Sequence, residues 1–262
     1  MEKALFISKI AHIKYINSQY DRLYFGNEFC QRLIPSIKDL ETVKRLVLER
    51  RMGFTLVTSY VTNKGIELLK PVFEYVLVNF PEPEVVVNDW GVLRLVKREF
   101  KSFNLNLGRL LTKQKRGPRI LNIKDRVPPG LIQHFKEVNM DTPVLSDFLA
   151  NNGFKRIELD NLLQGIDRRN DSLRGSLYFP FAYVTTTRFC LSAGCEKNKN
   201  ILRSMRDCDK ECQKYTFRLK HKTMPVDLLL KGNTKFFRND VIPDSLKELN
   251  IDRIVHEPEI PL

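Results

Sequence analysis

Short apolar runs alternate along the chain with stretches in which apolar residues recur every three or four positions. Arg22-Leu-Tyr-Phe-Gly26 reads as a short strand that stops at a glycine. Leu40 to Arg51 carries Leu40, Val43, Leu46 and Val47 at helical spacing, with Asp39 placed to cap its start and Gly53 to close it. Phe54 to Val61 has the apolar, β-branched character of a buried strand, and Gly65 to Phe80 is a second helix, stopped by Pro81 and Pro83. Glu84-Val-Val-Val87 is the next strand. Farther on, the pattern predicts a helix over Asp141 to Asn152, closed by Gly153, and strands over Arg156 to Asp160, Leu177 to Thr187 and Val226 to Leu230. Strand and helix alternate at intervals of about 30 residues, the mark of repeated βαβ units. The expected fold is one α/β domain over residues 1–262, a parallel-strand-rich (β/α) barrel that is TIM-barrel-like with irregular or incomplete units. Such barrels carry their chemistry at the C-terminal ends of the strands. Cys30, Asn88-Asp89 and Cys190 each follow a predicted strand, so they are expected to face one mouth.

Composition leaves that reading in place. Of 262 residues, 42% are hydrophobic and 29% charged, which excludes disordered, collagenous and mucin-like chains. No run approaches the ~20 apolar residues of a membrane span. The first residues, with charges at Glu2, Lys3 and Lys9 and no small-residue cleavage pattern, read as mature protein, so a cytoplasmic, reducing location is expected. A chain of this length needs no disulfide to fold. In a reducing compartment, clustered thiols are more often metal ligands or catalytic groups.

Charge and sulfur add the chemistry. Within a net charge of +13, Arg94 to Arg126 holds eleven basic residues against Glu99 and Asp125, net +9, around the loop Lys113-Gln-Lys-Arg-Gly-Pro-Arg119. This stretch fits an RNA-binding surface, a docking face for an acidic partner, or a solvated basic face. The strongest signal is Cys190-x4-Cys195-x12-Cys208-x3-Cys212 in the segment 188–214, with Cys30 far upstream. Soft sulfur donors select zinc or an iron–sulfur cluster over hard cations. Structural zinc favours two close pairs, whereas a cuboidal cluster takes four cysteines at uneven spacing. Four of the five suffice. Arg188, Arg203, Arg206 and Lys210 are expected to lower the thiol pKa values and offset the charge of an anionic core.

Four segments carry a family resemblance. Tyr24-Phe-Gly-Asn-Glu-Phe-Cys30 looks like a Gly-x-Glu-x-x-Cys segment and Val87-Asn-Asp-Trp-Gly-Val-Leu-Arg94 like an Asn-Asp-x-Gly box. Thr187-Arg-Phe-Cys-Leu-Ser192 looks like a Gly-Arg-Cys segment, and Asp207-Cys-Asp-Lys-Glu-Cys212 like a closing Cys-x3-Cys. In their order and separation these resemble the collagenase-like peptidase family of unassigned catalytic type, number thirty-two. The similarity is strongest to its short, UbiV-like branch, accessory to oxygen-independent ubiquinone hydroxylation. The resemblance implies a barrel-like α/β fold, a [4Fe-4S] cluster held by four cysteines, and a heterodimer with a related family member. It maps ligands onto Cys30, Cys208 and Cys212. The fourth stays open: Cys190 matches the neighbouring residues and Cys195 the spacing to Cys208.

The chain also departs from the family. Larger members approach two cysteines through Glu-x-Phe-x-His-Gly; here Leu177-Tyr-Phe-Pro-Phe-Ala-Tyr183 has no His-Gly, and Tyr183 stands where the first of those cysteines would be. Peptidase activity then has only the family label behind it. His12, His134, His221 and His256 sit in no catalytic motif, and neither Gly-x-Ser-x-Gly nor His-Glu-x-x-His occurs. Glu28, Asn88, Asp89 and Arg94 are the candidate catalytic or substrate-binding residues, with an Asx turn as the alternative for Asn88-Asp89. Trp90, the only tryptophan, is expected in the core. Three functions follow: an iron–sulfur protein supporting oxygen-independent hydroxylation or a related redox modification, a basic RNA-binding or RNA-modifying module with a structural metal such as zinc, and a peptidase.

Overall fold

In chain order the strands are β1 (Glu2–Ile7), β2 (Arg22–Gly26), β3 (Gly53–Val57), β4 (Glu84–Val87), β5 (Asn104–Leu107), β6 (Phe154–Asp160), β7 (Arg174–Phe179), β8 (Phe181–Thr186), β9 (Phe217–Leu219), β10 (Leu228–Lys231), β11 (Thr234–Arg238) and β12 (Ile251–His256). The helices are α1 (Ile37–Glu49), α2 (Asn63–Asn79), α3 (Trp90–Glu99), α4 (Pro129–Lys136) and α5 (Pro143–Asn151). The computed structural model describes residues 1–168, 173–196 and 208–262. Eight strands, all parallel to their neighbours, close into a barrel in the order β1-β12-β7-β6-β5-β4-β3-β2. The expected α/β barrel is therefore present. Its irregularity lies between β7 and β12, where β8-β11-β10-β9 form a separate antiparallel sheet.

Strand alternation sorts the core into two. Leu5, Leu23, Phe25, Leu56, Val85, Leu107 and Leu159 point outward and pack with α1, α2 and α3 residues such as Leu40, Phe73 and Val92. Their neighbours Phe6, Tyr24, Val57, Val86 and Tyr178 fill the barrel interior. Below them lies a polar layer. Arg253 donates to Glu84, Glu2 and the Tyr24 hydroxyl, and Glu158 accepts from Tyr24 and the Asn106 amide. Burial pushes the Glu158 carboxyl up to about 7, while Arg253 and Arg22 hold Glu84 down to about 2 against its own burial.

Several local expectations are corrected. Ser36, not Asp39, caps α1; Asp39 sits three residues in and closes a reciprocal capping box with the Ser36 backbone. Gly53 opens β3 instead of closing α1, because the turn is made by Arg51 at φ 52°. The buried strand stops at Val57, short of Val61. Leu177 to Thr187 is two strands split at Pro180, which offers no N–H to continue the ladder. Val226 to Leu230 is represented by β10, a strand of the antiparallel sheet and not of the barrel. Trp90 is 44% exposed, not in the core. β1, β5 and β12 were not expected at all.

Candidate functional site at the C-terminal mouth

The loop after β2 begins with a backbone only glycine tolerates: Gly26 has φ +138°, and a Cβ there would stand 2.1 Å from the Val57 carbonyl oxygen. The chain then folds around Asn27, whose Oδ1 accepts from the backbone N–H groups of Phe29 and Cys30. That turn fixes Cys30 at the mouth, as its place after a strand suggested. Cys190 reaches the same region from beyond β8, hence from the antiparallel sheet and not from a barrel strand.

Cys30, Cys190, Cys208 and Cys212 lie within electrostatic reach of one another. Burial pushes the Cys212 thiol up to about 11, and Cys190, Cys30 and Cys208 stand close enough to add like-charge repulsion. Cys30 is likewise raised by burial first, with Cys208 and Cys190 adding to it. Cys195 is exposed; Glu211 and Glu196 are its main charged neighbours, and Cys190 is also within reach of it. The expected lowering of the thiol pKa values by basic neighbours is thus reversed at Cys30, Cys195 and Cys212. Arg188 spends a guanidinium N–H on the Val61 carbonyl oxygen, and Arg203 and Arg206 lie outside the described residues. All five thiols are free. Among the described residues, no three His, Cys, Asp or Glu side chains are grouped to hold a single metal ion.

Two side chains tie the thiol-bearing segments together. Asn233, at the tip of the β10–β11 hairpin, holds its amide nitrogen, with two N–H groups to donate, within hydrogen-bond reach of the Phe29 carbonyl oxygen at 2.7 Å, the Thr187 carbonyl oxygen at 2.6 Å and the Tyr60 hydroxyl at 2.7 Å. Buried Glu211 accepts from the Gly194 N–H at 2.6 Å and stands 4.0 Å from the Cys208 sulfur. Polar groups also reach the sulfurs. The Lys210 N–H lies 3.4 Å from Cys208 Sγ, the Gln213 amide 3.6 Å from Cys212 Sγ, and the Ser192 hydroxyl 3.6 Å from Cys190 Sγ.

Beside the thiols the mouth holds a buried ion network that the sequence did not reveal. Arg109 follows β5 and is fully buried. Its five N–H groups are all used, on Glu28, Asp160, Glu257 and the Phe181 carbonyl oxygen. Arg116 donates to Asp160 at 2.7 Å. Burial pushes the Glu257 carboxyl well above the usual carboxylate range, against the pull of Arg109. Glu28 thus belongs to this network. Arg109 and Arg116, counted with the basic stretch, face inward and are withdrawn from any RNA surface.

Asn88 and Asp89 also reach the mouth. Asn88 bridges the Thr58 carbonyl oxygen and the Leu110 N–H, and lies so close over Gly108 that a Cβ there would meet its Oδ1 at 2.1 Å. Asp89 caps α3 through the Gly91 and Val92 N–H groups and accepts from Val61 N–H, the bonds of the Asx alternative. Arg94 is exposed on α3. Both Asn88 and Asp89 line a cleft of about 610 Å³, along with Trp90, Tyr60, Lys113 and Arg188. A smaller cavity of about 250 Å³ shares Tyr60 and Arg188 with it and contains Cys30.

No family model matches the chain, and neither does any curated protein. Among solved structures, a U32 peptidase is similar at 10% identity over 99% of this chain and 93% of that one, with a TM-score of 0.49. A glycoside hydrolase family 18 N-acetylglucosaminidase from Paenibacillus barengoltzii follows at 8% identity, covering 97% and 94%, with a TM-score of 0.40. A class V chitinase from Nicotiana tobaccum is 9% identical over 97% and 92%, with a TM-score of 0.30.

Proposed function

We propose that this chain is an iron–sulfur protein that supports an oxygen-independent hydroxylation or a related redox modification. Cys30, Cys190, Cys208 and Cys212 are the ligands and Cys195 is not. The observation that carries the reading is the gathering of these four free thiols from both halves of the chain around buried Cys212. A cuboidal cluster binds each thiolate at a different iron and so needs sulfur around a volume. A tetrahedral zinc draws its ligands within ~2.3 Å of one point; it is the family resemblance, and not the thiol geometry, that favours the cluster over zinc. A bound cluster would supply one-electron chemistry beside the cleft. The chain's own part is to hold the thiols through Asn233 and Glu211, to direct polar groups at their sulfurs, and to shield the centre by burial.

The reaction class itself comes from the resemblance in residues 24–30, 87–94, 187–192 and 207–212 to the collagenase-like family and its UbiV-like branch. A related heterodimer partner belongs to the same proposal. RNA binding loses support with two of its basic residues buried. Anaerobic purification followed by iron and sulfide quantitation tests the reading. About four iron and four sulfide per chain are expected, retained in Cys195→Ala and lost in Cys190→Ala. A colourless protein with one zinc per chain would refute it.

A further inference from the structure

Beyond the thiols, the cleft at the mouth has a chemistry of its own. Its one carboxylate, Asp89, is already committed: both oxygens accept backbone N–H groups, and the positive end of α3 offsets its charge. Arg116 is spent on Asp160 and on the carbonyl oxygens of Arg109 and Thr112. Two cations keep donors to spare. Arg188 is exposed and, among the described residues, hydrogen-bonds only the Val61 carbonyl oxygen. Lys113 is exposed, with only the Leu110 carbonyl oxygen at 3.5 Å. The field in the cleft is therefore positive and unmatched.

The walls add a shape. Trp90 stands at the rim, locked edge-to-face on Phe148 at 5.4 Å while keeping 44% of its surface in solvent. Tyr60 forms the wall shared with the Cys30 cavity, and its hydroxyl is anchored to Thr187 and Asn233. Held edge-to-face on Phe148, Trp90 offers the cleft a positioned, exposed aromatic face on which a flat ring can stack.

We propose that this cleft binds a small organic anion carrying a flat ring, its carboxylate-type group held by Arg188 and Lys113 and its ring laid against Trp90. About 610 Å³ is room for a molecule of that class. If the redox reading holds, such a ligand would lie one side chain, Tyr60, away from Cys30, and so be its substrate class. Binding itself does not depend on that reading.

The sole tryptophan makes the test direct. Full-length protein, its iron and sulfide content measured on the same sample, is titrated with benzoate while the Trp90 emission is followed, and calorimetry provides a second readout. Benzoate is expected to change the emission saturably and to release or absorb heat. Benzylamine, with the same ring and the opposite charge, is expected to do neither. Arg188→Gln and Lys113→Gln should each weaken benzoate about tenfold, the second at a distance from every cysteine. Equal binding of benzoate and benzylamine, or no binding of benzoate by either method, would overturn the proposal. Benzoate binding by protein without iron or sulfide would leave the cleft standing and remove the redox centre. Iron and sulfide without benzoate binding would do the reverse.

Discussion

Asn233 shows how much one amide can carry: its hydrogen bonds join the Cys30 loop, the Thr187 segment before Cys190, and Tyr60. Asn233→Ala removes these bonds at about 1 kcal/mol each at most, which should leave the barrel folded but the thiols loosely held. Faster modification of Cys30 by a thiol reagent, with unchanged far-ultraviolet dichroism, is the expected result; unchanged reactivity would deny Asn233 this role. Glu158 makes a different residue-scale prediction. Its folded pKa of about 7 lies above the ordinary 4.5, so the folded state holds the proton more tightly than the unfolded one. Its contribution is complete below pH ~4.5 and is lost as pH rises through ~7, by about 3 kcal/mol in all. Glu84 is the opposite case: held down to about 2, it stabilises above 4.5 and loses that as pH falls. Glu158→Gln, which cannot ionise, should gain on the wild type between pH 5 and pH 8 in urea unfolding midpoints. Parallel curves would mean that Glu158 is ionised throughout.

At the scale of elements, local chemistry and long-range packing divide the work. The start of α1 is local. Ser36 accepts from the Asp39 N–H and Asp39 reaches back to the Ser36 N–H, so Ser36→Ala should cost about 1 kcal/mol of stability by chemical unfolding. The end of β2 is not local. Gly26 is required by the approach of β3, and Gly26→Ala would drive a Cβ into the Val57 carbonyl oxygen. This substitution should prevent soluble expression or lower the melting temperature far more than Ser36→Ala does. The missed strands have the same explanation. β5 (Asn-Leu-Asn-Leu) and β12 (Ile-Asp-Arg-Ile-Val-His) place polar side chains inside the barrel, where Asn106 and Arg253 join the buried network. Their polar positions disguise strands whose barrel-facing Asn106 and Arg253 are buried.

Across the whole molecule, Arg109 connects the ends of β2, β6 and β12 to the antiparallel sheet through Glu28, Asp160, Glu257 and the Phe181 carbonyl oxygen. Removing the cation leaves buried carboxylates uncompensated, so Arg109→Met should destabilise by about 3–5 kcal/mol. The double substitution Arg109→Met with Glu28→Gln should recover part of that loss in the same urea titration. If the single variant unfolds like wild type, the network does not hold the mouth together. The network also reinterprets charge. The basic stretch contains two residues whose job is internal neutralisation, and net charge counted along the chain cannot separate these from a surface patch.

The sequence alone determined the repeated strand–helix alternation, and with it a parallel barrel, because periodicity of side chains is a local property of helix and strand. It also set the expectation of a soft-donor set, because five thiols on a chain that needs no staple call for a separate explanation. The tertiary structure decided that Cys30 and Cys190 come to one mouth from different sheets, that Asp89 is spent on capping α3, and that Trp90 stands in solvent beside the cleft. It alone joined Arg109 to partners 51, 81 and 148 residues away. Closing a barrel brings distant strand ends together, and the Coulomb and hydrogen-bonding partners chosen there leave no periodic trace in the chain.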